Sequence, residues 1–323
     1  MADRLVTVAV DIGSLSTKAM VSGKGHARRV TFPTRISLGE RAHSSGSELP
    51  CYVVIGDDIA RVGDRSEYRG FVTGELAGAL SPQEKLGALL SAAFSKLGEP
   101  QCDVLMVNVS EPTLTPFADS VRYALETARP RASNVISAGR IGVMGSATAL
   151  AADVLLDMRG EPDDKSVPPD GFLACVDCGA REWRYARLNL SKGYPLPEAS
   201  VAADFYVERA AISAIEEQFE EPVVGVSETM GSRTTLVSGI ERDVTGLIDA
   251  ARHKAWREFG ASFVQKALGE ECKRIYAGGG HATALSTGMI SKKHIDTRVA
   301  KQCEMSIVRG LLKSGNRWGR VVD

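Results

Sequence analysis

Two segments of the same pattern constrain the fold more than any other feature of this sequence. VAVDIG (8–13) and CVDCG (175–179) are each an apolar run that ends in an aspartate, with a glycine two residues later. Such runs are typical of strands buried on both faces, and residues 17–22 and 183–190 then read as the second strand of a hairpin. Because Asp11 and Asp177 lie about half the chain apart, we expect two similar α/β halves that face each other across a cleft.

The segment EPDDKSVPPDG (161–171) is polar and proline-rich, so it marks the boundary between the halves. At 323 residues the chain is long enough for two domains. The sequence predicts a first domain over 1–160 and a second over 161–323. Whether the C-terminal helix returns to the first domain is left open.

The composition is ordinary for a globular protein, with 44% hydrophobic and 24% charged residues. Lys plus Arg (39) nearly balances Asp plus Glu (40), so we expect no direct nucleic-acid partner. No apolar run reaches the roughly 20 residues that a membrane span needs. The first residues also lack the pattern of a signal peptide. We therefore expect a soluble, cytoplasmic protein without a membrane span.

Helices and strands alternate along both halves. The clearest helix runs over 81–98, where Ser81 and Glu84 form a capping box and Gly98 ends the helix. Apolar runs predict strands at 103–109 and 134–139, and a strand that leads into a glycine turn at 273–280. Further helices are expected over 116–127, 146–158, 200–219, 244–268 and 303–316.

Cys175 and Cys178 form a C-x-x-C, which fits a redox pair or half of a zinc site. A zinc site would need a second pair at similar spacing, and the six cysteines do not supply one. The simpler interpretation is that Cys175 packs in a buried strand and Cys178 falls in a loop.

The residues around the two aspartates suit a polyphosphate with its metal. Glycine turns bring backbone N–H groups close to phosphate oxygens, because glycine has no Cβ. Mg²⁺ prefers oxygen ligands and retains several waters, so Asp11 and Asp177 would hold it largely through water. AGGGHATAL (277–285) adds a glycine turn before a helix whose N-terminus suits a ribose or phosphate. Further groups for the phosphates follow the first aspartate: Gly13, Ser14, Ser16, Thr17 and Lys18.

These segments resemble the signature of the actin, Hsp70 and sugar-kinase superfamily. VAVDIGSLSTKAM is similar to its first phosphate loop, CVDCGA to the second, and IYAGGGHATAL to the late turn that receives the adenosine. TFPTRIS (31–37), VNVSEP (107–112) and CEMSIVRGLLKSGN (303–316) look most like plasmid-segregation proteins of the ParM/StbA type. The resemblance implies two actin-like (ribonuclease H-like) α/β domains facing each other across a nucleotide cleft.

The same resemblance implies ATP, or GTP, with Mg²⁺ as cofactors, and an ATPase whose hydrolysis is coupled to polymerisation. The partners it implies are further copies of the chain, in a homopolymer filament, and a DNA-binding adaptor protein. It makes Ser146 and Asp177 the candidate catalytic residues. Its nucleotide contacts in the second half are Gly179, Ala180, Arg181, Gly278, Gly279, Gly280 and His281.

Departures from the family pattern leave alternatives open. Arg181 stands where the family has small or hydroxyl residues, so it either contacts a phosphate or pairs with Glu182 or another neighbour. Ser146 stands where the family has a water-orienting Glu or Gln. Serine is a weak base at neutral pH, so we expect slow or differently organised hydrolysis. Glu208 and Arg209 either contact the ribose or base or lie on a solvated helix face.

Other classes in the superfamily fit less well. An ATPase activator of radical dehydratases would need cysteines in a glycine-rich loop, and a sugar or acetate kinase would need a catalytic carboxylate facing a substrate hydroxyl. The main alternative is a non-polymerising scaffold of the FtsA or PilM type that hydrolyses little ATP. In that case the basic C-terminal segment of this chain (305–323) would tether to a membrane or touch DNA. The simpler interpretation is that the apolar side of the segment is buried against the second half.

Overall fold

The computed structural model describes residues 5–23, 26–38, 51–63, 80–110, 114, 117–131, 135–163, 171–191, 194–195, 199–223, 229–230, 232–269, 272, 274–283 and 296–320. These residues fall into two compact units. The first unit contains the described residues up to Asp163 and those from Ile307 onward, and the second contains those of 171–306.

Strands and helices alternate in both units. The strands of the first unit are β1 (Thr7–Ile12), β2 (Ser16–Gly23), β3 (His26–Pro33), β4 (Ile36–Leu38), β5 (Cys51–Ile55), β6 (Asp58–Val62), β7 (Gln101–Val109), β8 (Ala128–Pro130) and β9 (Ser137–Val143). The strands of the second unit are β10 (Phe172–Cys178), β11 (Glu182–Asn189), β12 (Tyr194–Pro195), β13 (Ala199–Ala202), β14 (Thr234–Val237), β15 (Ile240–Asp243), β16 (Arg274–Gly278) and β17 (Asp296–Val299). The helices are α1 (Pro82–Leu97), α2 (Ala118–Thr127), α3 (Ser146–Leu155), α4 (Tyr206–Phe219), α5 (Thr245–Ala255), α6 (Ala261–Leu268) and α7 (Ser306–Arg320).

Each unit contains a sheet of the same topology. The strand order is β3-β2-β1-β7-β9 in the first unit and β12-β11-β10-β16-β17 in the second. In both sheets the opening strand pairs antiparallel with the next strand and parallel with a later one. β1 is buried along its whole length, as a strand covered on both faces must be. The prediction of an α/β fold with two similar halves is confirmed.

Helix α1 begins and ends as the sequence predicts. The Glu84 N–H donates to the Ser81 hydroxyl at 3.2 Å, and the Ser81 N–H donates to the Glu84 carboxylate at 2.7 Å. These hydrogen bonds lower the pKa of Glu84. Gly98 ends the helix in the left-handed conformation, with φ 67°. The apolar side chains of α1 join those of β1, β7 and α2 in one core, beside a smaller sheet of order β4-β6-β5-β8.

Two clusters form the core of the second unit. Trp183 on β11 is fully buried, and its ring packs edge-to-face against Phe259 and Phe263 at 4.8 and 5.7 Å between centroids. Phe259 belongs to a π-helical turn, Trp256–Gly260, which joins α5 to α6. The second cluster is the contact of α4 with α5. The first cluster includes side chains of β10 and β16, the strands that carry Asp177 and lead into the glycine turn.

The C-terminal helix α7 is part of the first unit, rather than packing against the second half. Arg309 Nε donates to the buried Asp153 carboxylate on α3 at 2.6 Å, and Lys313 Nζ lies 3.0 Å from the same carboxylate. Glycines allow a close approach of the helix. A Cβ at Gly310 would collide with the Ala149 carbonyl, and α7 presents two further glycines to β1 and its surroundings.

Two local expectations are wrong. Cys178 is the last residue of β10 and is fully buried rather than in a loop, and this burial raises the pKa of its thiol well above the usual value. Residues 199–202 form β13, which pairs with β11, instead of the start of a helix. Helix α4 begins later because Asp204 and Phe205 adopt positive φ angles of 41° and 56°. None of the six cysteines forms a disulfide bond.

The helices within the described ranges are all too short or too polar to cross a lipid bilayer.

Candidate functional site

The turns after β1 and β10 have the same backbone geometry. The Gly13 N–H donates to the Ser16 carbonyl at 3.2 Å, and the Gly179 N–H donates to the Glu182 carbonyl, also at 3.2 Å. A Cβ at Gly13 would lie 3.0 Å from the Ser16 carbonyl oxygen, and one at Gly179 would lie 2.8 Å from that of Glu182. Both turns therefore exclude larger residues, and each presents its backbone at the carboxyl end of the opening strand.

Strand register places each aspartate between a hairpin partner and a parallel partner. Asp11 lies opposite Lys18 on β2 and beside Asn108 on β7. Asp177 lies opposite Arg184 on β11 and beside Gly278 on β16. Both units thus set a basic residue across the hairpin from the carboxylate, but they differ at the parallel neighbour.

Asp11 is buried and held by two side chains. Asn108 Nδ2 donates to Asp11 Oδ1 at 2.7 Å, and Lys18 Nζ lies 3.4 Å from Asp11 Oδ2. The Lys18 side chain remains 14% exposed, whereas Asp11 and Asn108 are almost completely buried. A buried carboxylate needs such partners, because removal from water disfavours its charged form. The turn thus presents a buried anion with a partly exposed cation beside it.

The hydroxyl groups of the first turn lie in different environments. Ser14 is buried at the turn and Ser16 is half-buried at the start of β2. Thr17 Oγ1 lies 2.9 Å from Thr34 Oγ1, inside the unit. The Thr34 N–H also donates to the Leu15 carbonyl at 3.0 Å, which ties the turn to the residue after β3. Contact of Thr17 with a phosphate stays a prediction, and its hydroxyl would have to leave or share the bond with Thr34.

Asp177 lies against the late glycine turn. Gly279 has φ +88°, and a Cβ there would collide with Asp177 Oδ1 and lie 2.8 Å from the Cys178 carbonyl oxygen. The Gly279 N–H donates to the Cys303 carbonyl at 2.8 Å, and the His281 N–H donates to the Cys178 carbonyl at 3.0 Å. Glycine is required at 279 both by conformation and by space. The second loop and the late turn therefore form one continuous edge.

A buried pair of ionisable side chains stands at this edge. His281 Nε2 lies 2.8 Å from Glu208 Oε1. Glu208 on α4 has no exposed surface and His281 is 5% exposed. Over the part of the chain that the structure describes, Glu208 Oε2 and His281 Nδ1 have no hydrogen-bond partner. Buried polar atoms are normally satisfied, so these two are candidate contacts for a ligand hydroxyl or amine.

Arg209, in contrast, points to solvent. Its guanidinium pairs with Asp204 at 2.9 Å, and both side chains are at least half exposed. Glu208 therefore does not lie on a solvated helix face, whereas its neighbour does.

Hydrogen bonds from the residues that precede α4 hold the backbone of the turn after β10, at Ala180 and Arg181. The Arg181 carbonyl accepts from the Ala203 N–H at 2.7 Å, and the Ala180 carbonyl accepts from the Phe205 N–H at 2.8 Å. The Arg181 guanidinium lies over the Phe205 ring, 5.6 Å from its centroid. Glu182 pairs with Arg184 at 2.9 Å. This cation–π contact helps to orient the Arg181 side chain.

Ser146 is the first residue of α3 and is fully buried. Among the described residues its hydroxyl has no hydrogen-bond partner, and Gly145 provides no side-chain cap. The N-terminal end of α3 thus combines a helix N-terminus that has no side-chain cap with a buried hydroxyl, which suits a water or an anion.

No protein-family profile and no curated protein sequence matches the chain. Solved structures match over nearly its whole length. A non-polymerisable quadruple mutant of pCBH ParM has a TM-score of 0.69 at 13% identity, over 97% of this chain and 99% of its own. An archaeal actin homolog in complex with ADP has a TM-score of 0.67 at 13% identity, over 97% and 100%. A ParM in a 15-stranded filament from Clostridium botulinum has a TM-score of 0.64 at 15% identity, over 97% and 99%.

The chain has the actin-like fold. The resemblance inferred from the three glycine turns is confirmed at the level of the fold, with the two aspartates at the carboxyl ends of the opening strands of the two sheets.

Sequence reasoning missed two residues of the actin-like turns. Asn108 interrupts the apolar run of β7 just before the strand ends, and a buried polar residue at a strand end was the available signal. Arg184 could have been found by aligning the two hairpins on their aspartates, which places it at the position of Lys18.

The donor set at these turns fits Mg²⁺ better than a transition metal. In the described ranges no three His, Cys, Asp or Glu side chains cluster as metal ligands. Asp11 and Asp177 instead offer one carboxylate each, near the carboxyl ends of β1 and β10. A hard cation that keeps most of its waters needs no more from the protein.

Proposed function

We propose that this protein binds ATP or GTP with Mg²⁺, polymerises with copies of itself, and hydrolyses the nucleotide in the filament. The observation that carries the proposal is the repeated Asp-x-Gly turn at the opening strand of both sheets, within an actin-like fold. The ADP bound to the archaeal actin homolog and the filament formed by the Clostridium botulinum ParM are properties of those proteins, and they support the same assignment here.

In this proposal each unit supplies one phosphate loop. Asp11 and Asp177 hold the metal largely through water, and the metal when bound neutralises phosphate charge. Lys18 moves from Asp11 to a phosphate oxygen, for which its exposure and its long 3.4 Å ion pair leave freedom. Arg181, whose guanidinium lies over the Phe205 ring, contacts another phosphate oxygen. The other phosphate contacts are the turn residues Gly13, Ser14, Ser16, Thr17, Gly179 and Ala180.

The late turn receives the nucleoside. Gly278, Gly279 and Gly280 allow close approach of the backbone, and Glu208 Oε2 accepts a hydrogen bond from a ribose hydroxyl. Its hydrogen bond to His281 keeps the Glu208 carboxylate fixed at 2.8 Å. Arg209 is the weakest member of the predicted set, because it pairs with Asp204 in solvent.

Hydrolysis would depend on Ser146 and Asp177. The Ser146 hydroxyl, buried at the start of α3, orients a water, while Asp177 fixes the metal side of the site. Because serine is a weak base, the hydroxyl positions the water without removing its proton efficiently. We expect slow hydrolysis.

In the cell, a filament of this kind would segregate plasmid or other DNA in the cytoplasm through a DNA-binding adaptor, without touching DNA itself. The near-neutral charge of the chain, with 39 basic and 40 acidic residues, supports the indirect contact.

The test follows polymer and phosphate together. Light scattering, pelleting and phosphate release are measured with ATP, GTP, ADP and no nucleotide. Nucleotide-dependent scattering that decays as phosphate is released is the expected result. Lys18→Ala should abolish it, whereas Lys96→Ala, a lysine on α1 near Phe32, is the matched control. An absence of nucleotide binding by the wild-type protein would refute the proposal.

A non-polymerising scaffold that binds ATP with little hydrolysis is the second candidate, and Ser146 is the observation that favours it. Tight nucleotide binding without polymer under any nucleotide would establish it. Stable polymer with little phosphate release would instead indicate a static filament.

A further inference from the structure

Asp11 and Asp177 occupy equivalent positions in the two sheets, but their neighbours on the adjacent parallel strand differ. In the first sheet the parallel neighbour of Asp11 is Asn108, and in the second the parallel neighbour of Asp177 is Gly278. A glycine at this position is therefore compatible with the strand pairing. The turn and the sheet do not require an amide at 108, so its presence calls for another reason.

Asn108 joins the end of β7 to the end of β1 through its side chain. Its Nδ2 donates to Asp11 Oδ1 at 2.7 Å and to Ser110 Oγ at 3.2 Å. The Ser110 N–H donates to the Ile12 carbonyl at 2.9 Å, so the backbone around the amide is also fixed. Asn108 is 1% exposed. Both N–H groups of the amide thus have a defined direction, and one of them sets the rotamer of Asp11.

The second partner of Asp11 cannot do this alone. Lys18 approaches Oδ2 at 3.4 Å, which is long for a charge-assisted hydrogen bond, and its flexible side chain is partly exposed. In the proposed function Lys18 is drawn to a phosphate oxygen. Among the described residues, Asp11 would then keep its bond from Asn108 alone, a neutral donor that fixes the carboxylate and leaves its charge for the cation.

We propose that Asn108 is a positioning residue, which holds the Asp11 carboxylate in the orientation that a hydrated Mg²⁺–nucleotide complex needs. This inference rests on the proposed function. Its consequence is specific: the gain in nucleotide affinity that Mg²⁺ provides depends on Asn108, while the affinity of the metal-free nucleotide does not. Outer partners of metal-binding carboxylates act in this manner in other proteins.

The test is a titration of the full chain with fluorescent N-methylanthraniloyl ATP, once with Mg²⁺ and once with EDTA. Asn108→Ala should reduce the ratio of the two affinities by about 10-fold or more, and change the EDTA affinity by less than about 2-fold. Asn316→Ala is the matched control. Asn316 is also a buried asparagine of the first unit, bonded to Ser22 and to the Met158 carbonyl at 3.0 and 2.9 Å, and its loss should leave the ratio unchanged.

A second background shows whether Asn108 acts through Asp11. In Asp11→Ala, adding Asn108→Ala should change the Mg²⁺ ratio no further. If Asn108→Ala does not fold, as judged by circular dichroism, Asn108→Ser replaces it, because the shorter hydroxyl cannot span the same distance.

The outcomes separate the two proposals. Wild-type protein that binds no nucleotide refutes the proposed function and this inference with it. Wild-type protein with a Mg²⁺-dependent affinity, and an Asn108 variant with the same ratio, overturns the inference alone. Equal loss in Mg²⁺ and EDTA also overturns it, since it indicates a purely structural role.

Discussion

Replacing Gly279 by alanine should damage the second unit at its glycine turn. Gly279 has φ +88°, and its would-be Cβ collides with Asp177 Oδ1 and lies 2.8 Å from the Cys178 carbonyl oxygen. The left-handed conformation costs a residue with a Cβ roughly 1–2 kcal/mol. Forcing a methyl group against a buried carboxylate and a backbone carbonyl adds about 1–3 kcal/mol. Gly279→Ala should therefore lower the free energy of unfolding by about 2–5 kcal/mol.

The neighbouring glycine is the matched control. A Cβ at Gly280 has nothing within 4 Å, and its φ is not in the left-handed region. Gly280→Ala should be neutral or stabilise by up to about 1 kcal/mol, through lower entropy of the unfolded chain. Because Gly279→Ala displaces Asp177, its nucleotide affinity should also fall below that of the wild type, by about 10-fold or more. Gly280 belongs to the same proposed turn, so Gly280→Ala is the control for stability alone.

Chemical denaturation followed by circular dichroism gives the stabilities, and fluorescent-nucleotide titration gives the affinities. Equal stability of the two variants would refute the packing of the glycine turn against Asp177. Lower stability of Gly279→Ala with unchanged affinity would keep the packing but remove Asp177 from the nucleotide site.

Three further perturbations test other parts of the molecule. Asp153→Ala leaves Arg309 and Lys313 on α7 without their buried carboxylate, so the free energy of unfolding should fall by about 3 kcal/mol. A loss below about 1 kcal/mol in chemical denaturation would show that these contacts do not hold α7 against α3. Glu208→Gln keeps the side-chain shape but removes the carboxylate acceptor, so affinity for ADP should fall about 10-fold and any preference over 2′-deoxy-ADP should disappear. Equal ADP affinity of the wild type and the variant would contradict a ribose contact at Glu208. Burial, reinforced by Asp103, raises the pKa of Cys102 from 9.0 to about 12. The thiol of the unfolded chain ionises at a lower pH than the buried thiol, so the free energy of unfolding falls as the pH rises from the pKa of the unfolded chain toward that of the folded protein. Cys102→Ala should therefore lose less of this free energy than the wild type between about pH 8 and pH 10, measured by chemical denaturation at both pH values.

The repeated turns could be read from the sequence because their signals are local. An apolar run before Asp-x-Gly predicts a buried strand and a tight hairpin, and the structure places Gly13 and Gly179 in the same hydrogen bond at 3.2 Å. The capping box of α1 was equally visible, since Ser81 and Glu84 stand three residues apart. Such features depend on neighbours along the chain, and so they survive without knowledge of the tertiary structure.

The environment of individual polar side chains could not be predicted in the same way. Glu208 follows the helical pattern of a solvated face, but its partner His281 comes much later in the chain and brings it into the interior. The bond between Asn108 and Asp11 likewise requires the parallel register of β1 and β7. The sequence predicts the start of a helix where the short strand β13 lies, because only pairing with β11 distinguishes this segment as a strand. Long-range pairing decided each of these cases.

The position of α7 has a consequence for the folding of the protein during its synthesis on the ribosome. The helix is the last described element to be synthesised, yet it packs on α3 and on the central sheet of the unit that is synthesised first. Until the second unit and α7 have been synthesised, the surface of the first unit around Ala149 and Thr7, which α7 covers in the folded protein, therefore stays exposed. A nascent chain that is released early would expose that surface to chaperones or to other unfinished copies. The first unit can thus finish folding only after α7, the last described helix, has been translated.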